Sequence, residues 1–490
     1  MSQQPNIVFI FSDRQRFDTL SAYGNDWIRT PNLNALAEES VVVRNCYVTM
    51  PVCAPARSSI MTGLYPHTAG VPINRVAMPP DVKTVAQMLP DEYRTAYFGK
   101  WHLGDEVIRQ RGFDEWASVM DLLWAQYTKP EYLGQFSSYR EHLVELGYKP
   151  DQEVPGGKIF SDEMRAGLPA AHQQSTFLAG LAERFIEDNA DRPFALYVSM
   201  LEPHPPFNGP YDDLYDPDTL PVDPTFLKPP DEGPLVNRLR SEYYMQGEFD
   251  GHDLSSEQGW RRLRANYMAN ITLVDDAVGR IVKAIDDAGI ADNTVLVFTS
   301  EHGDLVGSHA MLELRSFYEP VSRVPLLIRA PGMGREQRFV DGNFSQIDLV
   351  PTLLDLVGQP IPPHLQGVNR SDVLAGNATL EGNDIFIQHN GFGDRDLTSE
   401  ESRPTLSEEK AAEMNYMNNL PWRSVVTADR WKLNLSPGDQ CELFDLNSDP
   451  FEMTNLYNDP AQRDRIRGMA ARIRVWQDDT GDTARLPTVP

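Results

Sequence analysis

The stretch Asn6-Ile7-Val8-Phe9-Ile10-Phe11-Ser12-Asp13 changes abruptly from apolar to polar residues, and the chain repeats this pattern. Residues 6–11 predict a buried strand, because branched and aromatic side chains follow one another without a polar break. Similar strands are predicted at 94–98, 193–200 and 294–299, and they end before Gly99-Lys100-Trp101-His102, Glu202-Pro203-His204 and Ser300-Glu301-His302-Gly303-Asp304. Ligands bind at the carboxyl ends of strands in open α/β sheets, so we expect these polar segments to form one site.

Helical patterns at 33–39, 261–288 and 347–357 alternate with the apolar strands. This alternation predicts an α/β fold in which a central sheet is flanked by helices. After about Leu374 the pattern changes to short strands at 384–388, 422–427, 431–435 and 442–446, with a last helix at 461–476. We therefore predict a catalytic domain at 1–374 and a smaller C-terminal α+β domain with an antiparallel sheet at 375–490.

Composition excludes several classes of protein. The 490 residues include 71 acidic and 44 basic ones, and the net charge of -27 argues against nucleic acid and anionic membranes as partners. A hydrophobic share of 41% excludes a disordered chain. The odd set of Cys46, Cys53 and Cys441 predicts no disulfide framework, and the start of the sequence shows neither a signal peptide nor a membrane span. These features predict a cytoplasmic protein, and they leave its oligomeric state open.

Cys53 lies in Pro51-Val52-Cys53-Ala54-Pro55-Ala56-Arg57-Ser58-Ser59-Ile60-Met61-Thr62-Gly63, just before a predicted helix start. Free backbone N–H groups and the helix dipole place positive potential there, and Arg57 adds a cation one turn away. The segment therefore predicts an anion site. The alternative is a buried structural cysteine, since free cysteine packs as a small hydrophobe.

The Cys-x-Pro-x-Arg block resembles the signature of the type I sulfatases, the formylglycine-dependent branch of the alkaline phosphatase superfamily. Other matching segments span nearly the whole chain: Tyr23-Gly24, Thr30-Pro31-Asn32-Leu33, Tyr65-Pro66-His67, Gly99-Lys100-Trp101-His102, Glu202-Pro203-His204, His302-Gly303-Asp304, Arg323-Val324-Pro325-Leu326 and Glu442-Leu443-Phe444-Asp445-Leu446. The resemblance implies an alkaline-phosphatase-like mixed sheet. It also implies that a formylglycine-generating enzyme oxidises Cys53 to formylglycine, whose hydrate attacks sulfur and later expels sulfate.

The same resemblance implies roles for the polar residues at the strand ends. Arg57 would hold the formylglycine hydrate, Lys100 would bind a sulfate oxygen, and His102 would assist at the diol. His204 would bind sulfate near the leaving oxygen and could protonate it. Fixed cations suit a dianionic transition state, and an alkoxide leaving group needs a proton. Taken singly, Lys100 could equally be a surface lysine, and His102 and His204 could be structural histidines.

The family usually binds one Ca²⁺ ion through acidic or amide side chains, and this sequence departs from that pattern. Asp13, Glu301 and His302 match ligand positions, but Arg14 stands where an aspartate or glutamine is expected. In one hypothesis a divalent ion binds through the three matching residues and Arg14 points elsewhere. In the other, Arg14 occupies the place of the metal and pairs with Asp13 and Glu301.

The resemblance implies a second sulfate-binding lysine, common in the family, at the position where this sequence has Leu314, and Arg315 follows it. We therefore predict Arg14 and Arg315 as substrate-binding residues.

The leading functional hypothesis is hydrolysis of a small anionic sulfate ester through a formylglycine sulfate-ester intermediate, with release of inorganic sulfate. A rival is hydrolysis of a phosphodiester or phosphonate monoester by the same nucleophile. A third hypothesis is a non-catalytic binding protein, suggested by Arg14, Glu301 and Leu314. In a fourth, the Cys53 thiolate is itself the nucleophile. The loops predicted at 205–234 and 390–421 would set specificity, and the alcohol half of the substrate stays unidentified.

Overall fold

A computed structural model describes residues 4–121, 126–150, 152–154, 157–158, 167–230, 232–391 and 406–490, and the structural statements below concern these ranges. Parts of the two predicted specificity loops, residue 231 and residues 392–405, lie outside them. None of the helices in the described ranges is both long and apolar enough to cross a bilayer.

The strands in the described ranges are β1 (Asn6–Ser12), β2 (Val41–Tyr47), β3 (Arg94–Gly99), β4 (Glu115–Ala117), β5 (Glu153–Val154), β6 (Gly157–Lys158), β7 (Phe194–Ser199), β8 (Glu248–Phe249), β9 (His252–Asp253), β10 (Thr294–Ser300), β11 (Arg323–Val324), β12 (Leu326–Arg329), β13 (Arg338–Ser345), β14 (Ile385–His389), β15 (Trp422–Val426), β16 (Trp431–Leu435) and β17 (Glu442–Asp445). The helices are α1 (Pro31–Glu38), α2 (Cys53–Thr62), α3 (Ser138–Glu145), α4 (Gln174–Asn189), α5 (Leu235–Tyr244), α6 (Glu257–Asp287), α7 (Glu319–Ser322), α8 (Leu349–Leu356), α9 (Ser371–Leu374), α10 (Glu408–Asn418) and α11 (Arg463–Thr480).

The central sheet is mixed and has the strand order β11-β2-β12-β10-β1-β7-β3-β4, with β13 also paired to β2. Strands β10, β1, β7, β3 and β4 run parallel to one another. Strand β12 is antiparallel to β10 and to β2. The parallel strands carry the four polar segments at their carboxyl ends, as the apolar runs predict.

Strand β1 is buried along its whole length because helices cover both faces of the sheet. Its side chains alternate between two apolar clusters: Ile7, Phe9 and Phe11 pack on the side of α2 and α8, and Val8 and Ile10 pack on the side of α1, α4 and α6. This alternation holds the end of β1, and hence Asp13, at the middle of the sheet.

Strands β14, β15, β16 and β17 form the predicted C-terminal antiparallel sheet. Helix α11 packs against it through Ile466 and Ile473, which share an apolar cluster with Val425, Leu433 and Leu443. The mixed central sheet with helices on both faces and this second sheet confirm the predicted fold class. The domain boundary at 374/375 stays a prediction.

Candidate active site

The structure brings four strand ends and one helix start together. Asp13 follows β1, Lys100 follows β3, His204 follows β7, and Glu301 and His302 follow β10. Helix α2 approaches the same edge of the sheet and brings Cys53 and Arg57. Their contacts link these residues into one group, in which His204 is half-buried and the others are buried.

Cys53 is the first residue of α2, one position later in the helix than the sequence pattern suggests. Extended backbone at Val52 (φ −150°, ψ 135°) leads into the helix without a side-chain cap from that residue. The next backbone N–H, that of Ala54, donates a hydrogen bond to Asn74 Oδ1 at 3.0 Å. The Cys53 Sγ atom is 3.3 Å from Nε2 of His302. Residue 53 therefore lies at the positive end of a helix and faces a strand end.

Arg57 connects the strand ends to one another. Its Nη1 donates to the carbonyl oxygen of Lys100 at 2.5 Å and to Ser199 Oγ at 2.7 Å. Its Nη2 lies 3.4 Å from Asp13 Oδ2, and its Nε forms an ion pair with Glu301. The guanidinium is only 1% exposed, so these contacts replace water as its hydrogen-bonding environment.

Lys100 and Asp13 form a buried ion pair beside Arg57. Burial opposes ionisation of Asp13, but the positive charges of Lys100 and Arg57 outweigh it and hold its pKa well below the usual value. Burial also opposes the charge of Lys100, and Asp13 outweighs it and raises the lysine pKa. Both groups are therefore charged at neutral pH.

The side chains of Asp13, Cys53, Glu301 and His302 form a group that could hold a metal ion. Their candidate ligand atoms all lie within 4.8 Å of one another, and all four residues are buried. His302 Nδ1 donates to Gly303 O at 2.8 Å, which turns Nε2 toward the group, where it lies 3.1 Å from Glu301 Oε1. Asp13 Oδ1 has no hydrogen-bond partner among the described residues. Two carboxylates, an imidazole and the side chain at position 53 fit a divalent cation.

Arg14 forms its ion pairs with carboxylates outside this group. Its Nη1 donates to Asp304 Oδ2 at 3.1 Å, and its Nη2 lies 3.6 Å from Glu313 Oε1. The hypothesis that Arg14 pairs with Asp13 and Glu301 is therefore wrong. These two carboxylates pair instead with Lys100 and Arg57, and the chain leaves β1 through a left-handed turn at Arg14 (φ 67°).

The match of residues 5–359 to the family model for sulfatases decides the classification. The chain belongs to the sulfatase family. This sulfatase is 28% identical to the uncharacterized sulfatase YidJ of Escherichia coli K12 over 507 aligned residues, which cover 99% of this chain and 89% of YidJ. It is 28% identical to the choline-sulfatase of Rhizobium meliloti 1021, over 93% of this chain and 83% of that protein.

The solved structure of the phosphonate monoester hydrolase SpPMH from Silicibacter pomeroyi has the same fold. It matches with a TM-score of 0.78 at 23% identity and covers 97% of this chain and 96% of that chain. The predictions of a sulfatase of the alkaline phosphatase superfamily, and of a sulfuric ester hydrolase, are confirmed.

Arg315 lies in the loop that carries Glu313, at the rim of the site. Its backbone N–H donates to Pro51 O at 3.2 Å, two residues before Cys53. Its Nη1 is 3.7 Å from Glu313 Oε2. Leu314 is buried in an apolar cluster with Met50 and Val52. The structure thus places Arg315 beside the segment that leads to Cys53, and its binding of substrate stays a prediction.

Glu106 positions the Lys100 segment of the sulfatase site, and the sequence analysis did not single it out. Its carboxylate accepts the backbone N–H groups of Trp101 and His102, each at 2.7 Å. These bonds hold His102 in a left-handed conformation with φ 59°. Burial, with Lys100 and Arg57 adding to it, holds the pKa of His102 well below its usual value, so its imidazole is neutral.

Gln346 plays a similar part at the end of β10 and was also missed. Its Nε2 donates to the carbonyl oxygens of Ser300 and Glu301, both at 2.9 Å. Glu106 lies four residues after the segment Gly99-Lys100-Trp101-His102, and Gln346 lies 45 positions after Glu301. Neither spacing forms a recognisable sequence pattern. Only the folded backbone brings them to the site.

Proposed function

We propose that this sulfatase-family chain hydrolyses a sulfate monoester with residue 53 as its nucleophile and releases inorganic sulfate. The observation that carries the proposal is the surroundings of Cys53. The side chain lies at a helix start, contacts His302, and is close enough to Arg14, Arg57 and Lys100 to interact electrostatically with all three. A tetrahedral anion bound there would meet several fixed cations in a site shielded from water.

Oxidised to formylglycine, residue 53 would supply a hydrated aldehyde, one hydroxyl of which attacks sulfur while the other later expels sulfate. Arg57 lies on the same helix as residue 53 and is bonded to Lys100, Ser199 and Glu301 at the strand ends. These bonds hold the helix, and with it the side chain at position 53, in place. Lys100 binds a sulfate oxygen, and Tyr97, Arg57 and Ser199 fix it by donating to its backbone carbonyl oxygen. Neutral His102 accepts a proton at the diol. A preorganised set of this kind needs no rearrangement as charge develops on the sulfate oxygens.

We also propose that one divalent cation, Ca²⁺ in the family pattern, binds through Asp13, Glu301, His302 and the side chain at position 53. Bound there, the ion would add positive charge to the sulfate site. We expect the purified protein to contain about one equivalent of divalent metal. Asp13→Asn should lower that stoichiometry, and chelation should lower the melting temperature of the wild type, because a ligand of the native state stabilises it.

Metal content measured by plasma mass spectrometry, on protein dialysed with and without chelator, checks this prediction. The exposed Asp464→Asn serves as the control, since Asp464 lies on α11. The metal-site prediction would be contradicted if the purified protein contained no metal and its melting temperature responded neither to chelator nor to added Ca²⁺ or Mn²⁺.

The test of the proposed function compares three substrates. We expect kcat/KM for 4-nitrophenyl sulfate to exceed that for an aryl phosphonate monoester and for a phosphodiester by about tenfold or more, which is about 1.4 kcal/mol of transition-state discrimination. The protein is co-produced with a formylglycine-generating enzyme, and the mass of the Cys53 peptide establishes conversion. A higher value for the phosphorus esters would assign the rival reaction. Converted protein that turns over none of the three substrates would support the binding-protein hypothesis, and activity of unconverted thiol would support the thiolate.

A cytoplasmic location and a small anionic substrate complete the proposal. Cys46, Cys53 and Cys441 are all free and buried, as suits a reducing compartment. A formylglycine-generating enzyme would then act on the chain during maturation.

A further inference from the structure

Lys432 is a buried cation that connects the C-terminal sheet to the segment 317–322, which contains α7 and leads into β11. The residue lies on β16, and its side chain is 0% exposed. Its Nζ atom donates to the carbonyl oxygen of Phe317 at 2.6 Å, and it lies 2.8 Å from Glu319 Oε1 and 2.7 Å from Glu452 Oε1. Lys432 therefore holds two buried carboxylates and one backbone carbonyl oxygen together.

Further bonds fix the segment 317–322 at both of its ends. Glu452 accepts the backbone N–H of Glu319 with its second carboxylate oxygen, at 2.6 Å. Ser322 Oγ donates to the carbonyl oxygen of Phe317 at 2.9 Å, which closes the segment on itself. Tyr47 donates to Glu319 Oε2 at 3.1 Å. Because the two carboxylates are buried, water does not replace these bonds, and breaking them is costly.

The backbone of this segment contacts the end of β10. The carbonyl oxygen of Val321 accepts the N–H of Gly303 at 2.9 Å, and Gly303 directly follows His302. The two backbones are so close that a Cβ atom added at Gly303 would lie 1.9 Å from Pro320 O. A displacement of the segment 317–322 would therefore displace His302 as well.

The segment also contacts the stretch of chain that connects β2 to α2. The carbonyl oxygen of Ser322 accepts the N–H of Val48 at 2.9 Å. One residue further on, the C-terminal sheet contacts this stretch directly, because the N–H of Gln388 on β14 donates to Thr49 O at 2.9 Å. The stretch ends at Cys53, the first residue of α2, so these bonds also fix the approach to position 53.

We propose that Lys432 is a positioning residue for the reaction, and that it acts by fixing the segment 317–322 between the ends of β10 and β2. This inference rests on the proposed sulfate-ester hydrolysis. The quantity that Lys432 controls is the separation of His302 Nε2 and Cys53 Sγ, which are 3.3 Å apart. A misplacement of about 1 Å in a catalytic group costs about 10²-fold in rate. The C-terminal sheet thus acts on the catalytic site through backbone contacts.

Steady-state kinetics of converted protein with 4-nitrophenyl sulfate test the proposal. We expect Lys432→Met, which keeps the length of the side chain and removes its charge, to lower kcat by about 10²-fold with little change in KM. Glu452→Gln leaves Phe317 and Glu319 bound to Lys432, so it should lower kcat by a smaller factor. Should Lys432→Met not fold, Glu452→Gln decides, and a wild-type kcat in that variant would overturn the proposal.

Ile466→Ala is the matched control for stability. Ile466 packs with Leu433 in an apolar cluster, and Leu433 and Lys432 are consecutive residues that point to opposite faces of β16. The control therefore lowers the melting temperature without altering the segment 317–322. If Lys432→Met lost no more kcat than Ile466→Ala at a similar melting temperature, the positioning role would be excluded.

A second measurement needs no turnover, so it separates failure of this inference from failure of the proposed function. Long-range ¹H–¹⁵N spectra of histidine-labelled, unconverted protein report the Nε2 shift of His302, which Cys53→Ala assigns by removing the neighbouring thiol. We expect Lys432→Met to change this shift and Ile466→Ala to leave it at the wild-type value. A folded Lys432→Met protein with an unchanged His302 signal would overturn the inference whatever the substrate is. If the shift changes while wild type turns over no sulfate ester, the positioning stands and only the proposed function fails.

Discussion

Cys53→Ala is expected to lower kcat/KM for the aryl sulfate by about 10⁴-fold or more, because the variant has no side chain that can form the nucleophile. Arg57, Lys100 and Glu301 would still assemble the rest of the site, since the ion pairs Arg57–Glu301 and Lys100–Asp13 and the hydrogen bond from Arg57 to the Lys100 carbonyl oxygen do not involve Cys53 Sγ. Binding of sulfate, measured by calorimetry, should therefore persist. Initial rates measured beside the melting temperature separate loss of the nucleophile from loss of the fold.

Cys46→Ala is the matched control for this prediction. Cys46 is also buried and free, but it lies on β2 in an apolar cluster, and burial raises its pKa above the usual thiol range. We expect it to cost some stability and to leave kcat/KM unchanged. Turnover that survives in Cys53→Ala would remove residue 53 from the mechanism.

The central sheet could be predicted because its strands are continuous apolar runs. The runs at 6–11 and 294–299 are observed as Asn6–Ser12 and Thr294–Ser300, each only one residue longer at its carboxyl end. Buried parallel strands carry this signal independently of their neighbours. The pairing of β2 with β13 joins residues about 300 positions apart, and no local pattern indicates it.

The gathering of polar side chains at the strand ends was also predictable, since ligands bind at the carboxyl ends of strands in open α/β sheets. The orientation of those side chains was not. Arg14 replaces an expected ligand, and the sequence alone allowed it to pair with Asp13 or to point elsewhere. The left-handed turn at Arg14 after β1 and the position of Asp304 after β10 decide between these possibilities.

The site reconciles a strongly acidic protein with an anionic substrate. The net charge of -27 is a property of the whole chain, whereas Arg14, Arg57 and Lys100 are buried around one residue. Each cation has a carboxylate partner, namely Asp304, Glu301 or Asp13. These partners offset the cost of burying the cations and fix their directions. Local charge therefore follows the arrangement of strand ends and is independent of overall composition.

Arg57→Gln is expected to lower both activity and stability, because Arg57 joins more elements of the site than any other residue discussed above. The change leaves Glu301 buried without its cation and removes one of the three donors to the Lys100 carbonyl oxygen, the other two being Tyr97 and Ser199. Breaking a buried pair in this way costs about 3–5 kcal/mol. Loss of a preorganised cation lowers kcat/KM by about 10³-fold. Chemical denaturation gives the first quantity and initial rates give the second.

Arg329→Gln separates the two effects. Arg329 is also buried, but it lies at the end of β12 and pairs with the half-exposed Glu39, away from residue 53. We expect it to lower stability while kcat/KM stays at the wild-type value. Arg57→Lys keeps the positive charge but lacks the planar guanidinium with its several N–H donors. It should therefore recover part of the stability and little of the activity. If Arg57→Gln kept the wild-type kcat/KM, α2 would hold residue 53 without this guanidinium. Other contacts would then have to connect residue 53 to the strand ends.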